Sequence, residues 1–308
     1  MDNQKNKILI TPSTFGELDK EPLEKLIKKG FGVVNNPFSR KLTVKELRDL
    51  LPEAIGLIAG LEKIDREVMK NSKLKVISRV GTGIENIDLE AAKELGIIVK
   101  NTPDAPTVAV SELTLGAILS LLRMIPQLND ALHKRKWNKR VGVQLAGKTV
   151  VIIGFGRIGR AVARLLKPFG VELLAVDHLY QGIVDEVPIV SLEKALPRAD
   201  IITLHLSGSE EVLGKSEFSK MKNGVFILNA ARGEVIEEKA LIEALKEGKV
   251  AGAWLDTFWQ EPYQGPLCEF PQVLLTPHVG SYTRECRKRM EMEAVDNLLS
   301  VLGIDVNE

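Results

Sequence analysis

The string LLTPHVGS, residues 274–281, runs an apolar strand through a proline to His278 and a turn of small residues. The chain has three other histidines, His133, His178 and His205. An imidazole with a pKa of about 6.5 can give or take a proton near neutrality, so a histidine where a strand meets a loop is a candidate acid–base group. A half-buried histidine satisfied by a carbonyl fits the same string.

A second string, VVIIGFGRIGR, sets Gly154, Gly156 and Gly159 in G-x-G-x-x-G spacing, after a strand and at the opening of a helix. The first glycine permits a tight turn, the second lets a pyrophosphate reach the backbone, and the third lets helix and strand pack closely. Amides around Arg157 and Ile158 would face the phosphate charge. The next strand, VELLAVD, ends in Asp177, whose carboxylate can accept from ribose hydroxyls and repels a 2′-phosphate. The expected cofactor is therefore NAD rather than NADP. A glycine pair in RVGTGIENID, Gly81 and Gly83 with Arg79 nearby, is either a small nest of amides for a carboxylate or an ordinary turn.

The elements that must hold these groups alternate strand and helix. KILITP, FGVVNN, AIGLIAG, KVISRVG and IIVKN read as strands separated by amphipathic helical stretches. A second series reads KTVVIIG, VELLAVD, ADIITLHL, GVFILNA, VAGAWLDTF and VLLTPH. Such alternation predicts α/β architecture with two doubly wound parallel sheets. The segment from VAVSELTLG to HKRKWN is expected to be a long helix kinked or ended near Pro126. NTPDAPT is the expected crossing between domains, and the final thirty residues form one helix.

Composition narrows the class. The chain has 308 residues, 44% of them hydrophobic, and a net charge of +1. That balance gives no argument for nucleic acid or an acidic membrane as partner. Two cysteines, Cys268 and Cys286, without metal-type spacing lead to the expectation of a reducing, cytoplasmic setting and no metal. The polar lead MDNQKNKILITP lacks the pattern of a signal peptide, and LTLGAILSLL is too short to cross a bilayer.

NAARGEVIEEKALIEALKEGKVAGAWLDTFWQEP, followed by TPHVGSYT, closely resembles the signature of the D-isomer-specific 2-hydroxyacid dehydrogenases. RVGTGIENIDLEAAKELGI and TPDAPTVAVSELTLG resemble it in order and spacing. Within the family the chain is most similar to short-form phosphoglycerate dehydrogenases, with glyoxylate and hydroxypyruvate reductases close by. The resemblance implies a Rossmann-type NAD domain over residues 104–281 and a flavodoxin-like substrate domain over 1–103, completed by the helix in 282–308, with a cleft between them. It carries the catalytic set onto Arg232, Glu261 and His278. Cofactor contacts carry over onto Thr82, Arg157, Ile158, Asp177, Ala230, Ala231, Asp256 and Gly280. Arg79, Gly81 and Gly83 are the expected substrate contacts. Hydride transfer to a 2-keto acid leaves an alkoxide that needs a proton, which His278 can supply with Glu261 fixing its ring. Arg232 can bind the carboxylate and polarise the carbonyl. The alternative function is an NAD-sensing, corepressor-like protein of the same fold.

The resemblance also implies a homodimer paired through the region of Trp137, beside Lys134, Arg135, Lys136, Lys139 and Arg140. His205 is expected to be a buried structural residue beside the cofactor, and Ser207 stands where the family usually has proline. Many phosphoglycerate dehydrogenases place an arginine for the substrate phosphate just after the strand that here reads AIGLIAG. This chain continues with Gly60 and Leu61, and Lys63 is the nearest cation.

Overall fold

The computed structural model describes residues 6–306; the first five residues of the polar lead and the last two of the chain lie outside it. The chain divides into two compact units, one of Met1–Pro106 with Tyr282–Glu308, the other of Thr107–Ser281.

In the first unit, strands β1 (Lys7–Ile10), β2 (Gly32–Asn35), β3 (Ala54–Ala59), β4 (Val76–Arg79) and β5 (Ile98–Lys100) form one parallel sheet in the order β2-β1-β3-β4-β5. Side chains of a strand alternate between faces. Leu9, Leu57 and Ile77 therefore face a core built with Leu47, Ile64, Val68 and Ala91. On the opposite face, Gly56 makes room for Ile8 and Leu298, each 2.9 Å from where a Cβ would stand. Leu298 belongs to the C-terminal helix Arg284–Val301, which covers this face. The helix is capped by Thr283, whose side chain accepts from Cys286 N at 3.1 Å. It is pinned by a buried pair, Arg287 and Glu291, 2.8 Å apart. Glu291 also accepts from Gly16 N at 2.9 Å and Arg287 donates to Thr14 at 2.8 Å, so the loop after β1 is fastened to the same helix.

In the second unit, β6 (Thr149–Ile153), β7 (Glu172–Val176), β10 (Ile201–Leu204), β11 (Val225–Asn229), β12 (Val250–Leu255) and β13 (Val273–Leu275) form a six-stranded parallel sheet, ordered β13-β12-β11-β10-β6-β7. A two-stranded hairpin, β8 (Ile183–Val184) and β9 (Val187–Pro188), stands after β7. Strand β6 shows why both faces must be covered. Val151 and Ile153 enter one core with Leu204, Ile227 and Leu255, while Val150 and Ile152 enter the other with Ile118, Phe155, Val162 and Trp254. Such strands, apolar on both faces, read as unbroken hydrophobic runs.

The segment after the domain crossing forms two helices, Pro106–Leu122 and Ile125–His133, bent by 65°. The break falls at Met124, whose φ is 51° in the left-handed region, and not at Pro126. Pro126 sits in the first turn of the second helix, where its missing N–H has no partner to lose. No single helix among the described residues is long and apolar enough to cross a membrane.

Candidate active site

The glycine loop follows β6, at the point where strand order reverses between β6 and β10, and each glycine has a separate steric reason. Gly154 has φ 90°, and a Cβ there would stand 2.5 Å from Leu206 N and 2.6 Å from His205 C. The two strand ends thus meet backbone to backbone. At Gly159 a Cβ would lie 2.1 Å from Gly154 O, so the helix Arg157–Leu166 can start against the strand only without a side chain here. A Cβ at Gly156 would meet nothing within 4 Å, which is the open approach a pyrophosphate needs. The helix begins at Arg157, so its first amides face this opening. Asp177, just past β7, accepts from Phe155 N at 2.7 Å and from Leu179 N at 2.8 Å. It braces the loop from the next strand, and its remaining lone pairs are available to hydroxyl donors. These residues fit a dinucleotide.

His278 and Glu261 come together in the same unit. Nδ1 of His278 lies 2.9 Å from Oε2 and 3.1 Å from Oε1 of Glu261, with both side chains partly exposed. A carboxylate at Nδ1 leaves Nε2 as the ring atom that exchanges a proton with a ligand. Glu261 is itself held, since Oε1 accepts from Phe258 N at 3.2 Å. Phe258 stacks on Tyr263 with ring centroids 4.6 Å apart, which closes the loop around the carboxylate.

The backbone of His278 has φ 52°, an uncommon conformation for a side-chain-bearing residue. Its holder is Asp256, 2% exposed. Oδ1 accepts from Thr276 Oγ1 at 2.6 Å and from Val279 N at 2.9 Å, and Oδ2 accepts from Gly280 N at 2.8 Å. Burial raises the pKa of Asp256, and the hydroxyl and the two amides act against that rise. The core residue Trp254 extends the set, its indole N–H donating to Thr276 at 2.9 Å. A Cβ at Gly280 would stand 2.9 Å from Asp256 Oδ2, so the turn closes only around glycine. The structure thus gives Asp256 a job that the sequence does not announce, clamping the turn that carries His278.

Arg232 lies in the turn after β11, partly buried. Asn229, fully buried, holds that turn from both sides. It accepts from Ala231 N at 2.9 Å and donates to Arg232 O at 2.7 Å. The sequence assigns Asn229 no role of its own, and its one signal there is a polar residue closing the apolar run VFILN. Gly233 then packs on the backbone before Glu261, where a Cβ would stand 2.1 Å from Phe258 C and 2.3 Å from Trp259 N. The arginine turn and the glutamate loop are therefore in backbone contact. Ala230 and Ala231 sit at the same strand end, with Ala230 N donating to Leu204 O at 3.3 Å.

His205 is 9% exposed, with Nε2 2.8 Å from Thr203 Oγ1. Burial pushes its pKa down to about 3, so it is neutral and not a proton carrier at neutral pH. His133 and His178 are exposed. Trp259 donates to Ile236 O at 2.8 Å, and Tyr282 is 62% exposed.

In the first unit, Gly81 has φ 133°, and the Arg79 guanidinium folds over it where a Cβ would be. The amide of Gly81 donates to Thr102 Oγ1 at 2.7 Å. An anion at this turn would meet the amides of Thr82 and Gly83 rather than that of Gly81. Thr82 is exposed, and its carbonyl accepts from Asn101 at 2.6 Å.

A glycine loop at the switch point of a parallel sheet, braced by an acid on the next strand, defines a dinucleotide-binding protein of the Rossmann class. Residues 115–280 match the model of the D-isomer specific 2-hydroxyacid dehydrogenase NAD binding domain. The chain is 40% identical over 279 residues to D-3-phosphoglycerate dehydrogenase of Methanocaldococcus jannaschii, covering 87% of this chain and 53% of that one. It is 36% identical over 298 residues to hydroxypyruvate reductase of Thermotoga maritima, covering 93% and 96%. A glyoxylate reductase structure from Paecilomyes thermophila aligns with a TM-score of 0.86 at 29% identity, covering 96% of this chain and 95% of that one. The chain belongs to the D-isomer specific 2-hydroxyacid dehydrogenases. It spans about half the length of the M. jannaschii phosphoglycerate dehydrogenase.

Proposed function

We propose that this protein is an NAD-dependent oxidoreductase that moves a hydride between nicotinamide and a small D-2-hydroxy acid or its 2-keto acid. The hydride would come from, or go to, NAD held at the glycine loop. In reduction, Nε2 of His278 protonates the oxygen that becomes the hydroxyl; in oxidation it removes that proton. Glu261 holds the ring by Nδ1. Arg232 binds the substrate carboxylate and draws electron density from the carbonyl. Gly154, Gly156, Arg157, Ile158, Gly159 and Asp177 bind the dinucleotide. Ala230, Ala231, Asp256 and Gly280 would also contact it.

The single observation that carries this reading is the imidazole–carboxylate pair, 2.9 Å apart on a clamped turn in the unit with the glycine loop. A panel of 2-keto acids with NADH tests it, with absorbance loss at the nicotinamide band as readout. Turnover of at least one member is the expected result, and no turnover by folded, NADH-binding protein contradicts the reading.

The protein acts as a cytoplasmic homodimer, with neither nucleic acid nor membrane as partner. Support for the dimer comes from one stretch of exposed apolar side chains: Ile125 51%, Leu132 57%, Trp137 79% and Val141 97% exposed. A second copy would cover them. Lys134, Arg135, Lys136, Lys139 and Arg140 are exposed alongside.

A further inference from the structure

The carboxylate of Glu261 stands on a loop that is tied, on both sides of it, to one segment of the same unit. Before Glu261, the indole N–H of Trp259 donates to Ile236 O at 2.8 Å. After it, the hydroxyl of Tyr263 donates to Glu238 Oε1 at 2.5 Å. Ile236 and Glu238 lead the chain from the arginine turn into the helix Glu238–Lys246. The Tyr263 hydroxyl also accepts from Leu267 N at 3.2 Å. Burial first, and then the Glu238 carboxylate, raise the pKa of this phenol, so it keeps its proton and stays a donor. The ring lies over Gly265, where a Cβ would stand 2.4 Å from its Cζ and hydroxyl oxygen. Phe258 stacks on it, with centroids 4.6 Å apart and ring planes 18° apart. The amide of Phe258 is the one that donates to Glu261 Oε1. Contacts therefore run from the Tyr263 hydroxyl through Phe258 to the carboxylate behind His278.

We propose that Tyr263 is a positioning residue for the acid–base pair: tied to Glu238 and stacked on Phe258, it holds the Glu261 carboxylate against Nδ1 of His278. The proposal rests on the oxidoreductase reading above and deepens it. The pair is partly exposed, 43% at the His278 side chain and 39% at that of Glu261, so water competes for both groups. Such a contact depends on how firmly the loop presents the carboxylate. Tyr263 takes no proton or hydride in the reaction and acts only through Phe258 and Glu261. None of these ties involves the glycine loop, so loosening them should slow the chemical step and leave dinucleotide binding in place.

Tyr263→Phe removes the hydroxyl and keeps the ring, and Tyr263→Leu removes the stack as well. kcat and KM are to be measured with NADH and the keto acid of the panel above that wild type reduces fastest. Thermal melts and fluorescence titrations of NADH identify folded, cofactor-binding protein, and Tyr263→Phe carries the test where Tyr263→Leu does not fold. Tyr263→Phe is expected to lower kcat roughly threefold to tenfold, the scale of one hydrogen bond, with KM and the Kd for NADH nearly unchanged. Tyr263→Leu is expected to fall further, towards the rate of Glu261→Gln. The double variant Tyr263→Phe, Glu261→Gln decides the cause. Acting through Glu261, Tyr263→Phe should cost nothing more once the carboxylate is gone; losses that multiply show an independent, structural effect and overturn the proposal. An unchanged kcat in Tyr263→Phe overturns it too. A spectroscopic readout stands apart from turnover. In protein carrying nitrogen-labelled histidine, the imidazole signals absent from His278→Ala belong to His278. Its Nδ1 signal in Tyr263→Phe is expected to move from the wild-type position towards that in Glu261→Gln, and an unmoved signal overturns the proposal. If wild type reduces no keto acid of the panel, the oxidoreductase reading fails separately, and this signal alone decides whether Tyr263 positions the pair.

Discussion

The two sheets reverse strand order in the same way and line the reversal with opposite electrostatics. Between β6 and β10 the lining is glycine backbone, with a helix opening at Arg157 and an open approach at Gly156. Amides and a helix N-terminus favour negative charge there. Between β1 and β3 the lining is a buried carboxylate, Glu62, tied by one oxygen only. A second buried carboxylate sharpens the contrast. Asp256, equally buried, receives a hydroxyl and two backbone amides and works as a clamp. The same topology thus carries an amide-lined opening in one unit and a buried, hydrogen-bonded acid in the other.

The largest expected effect tests whether the second unit holds the chemistry. His278→Ala should keep NADH binding and lose roughly 10²–10⁴ in turnover, the scale of a general acid. Steady-state rates with fluorescence titration of NADH check this, and more than half the wild-type rate would break the assignment. Glu261→Gln removes the charge behind the imidazole and should lower kcat by roughly tenfold to a hundredfold with little change in KM. An unchanged kcat would show that the contact at 2.9 Å does no catalytic work. Asp177→Ala should weaken NAD binding by roughly tenfold and narrow the gap to NADP, since a repulsive carboxylate, ribose acceptors and the brace on Phe155 N go together. Wild-type protein that already uses NADPH as well as NADH would contradict that role.

The last effect is on stability and not on activity. His205, at the end of β10, has its pKa lowered from 6.5 to about 3 by burial. Below pH 6.5 the unfolded chain binds a proton there that the folded chain refuses, so this contribution is present above the unfolded pKa and is lost as pH falls towards 3. The expected slope approaches about 1.4 kcal/mol per pH unit within that window. Denaturant titrations of wild type and His205→Gln should diverge in their pH dependence between those limits, and parallel curves would mean that the β10 end is wet.

Much of this architecture is legible in the sequence because burial on both faces leaves a plain mark. Every strand of the two large sheets falls within an apolar-rich segment that the sequence pattern marks as a strand, as in KTVVIIG and GVFILNA. The glycine loop reads clearly because its three positions obey local steric rules. The hairpin at Ile183–Val184 and Val187–Pro188 is too short to show a period. The helix break is legible as lying near Pro126, and its exact place at Met124, two residues earlier, is set by a left-handed backbone that no local pattern marks. The clamp by Asp256 and the burial of Glu62 depend on partners far along the chain, Thr276 and Gly280 for the first and Thr11 for the second. In sequence, Glu62 in GLEK looks like any surface acid. The amide of Gly81 is likewise taken by Thr102, which no local pattern reveals.

The most direct test follows the hydride. Protein supplied with NADH deuterated at the transferring C4 position and an accepted 2-keto acid should yield a 2-hydroxy acid with one deuterium at C2 and the D configuration, read by mass spectrometry and chiral chromatography. In His278→Ala the same labelled product should form at a rate lowered by roughly 10²–10⁴. A product without deuterium, or of L configuration, would contradict the account.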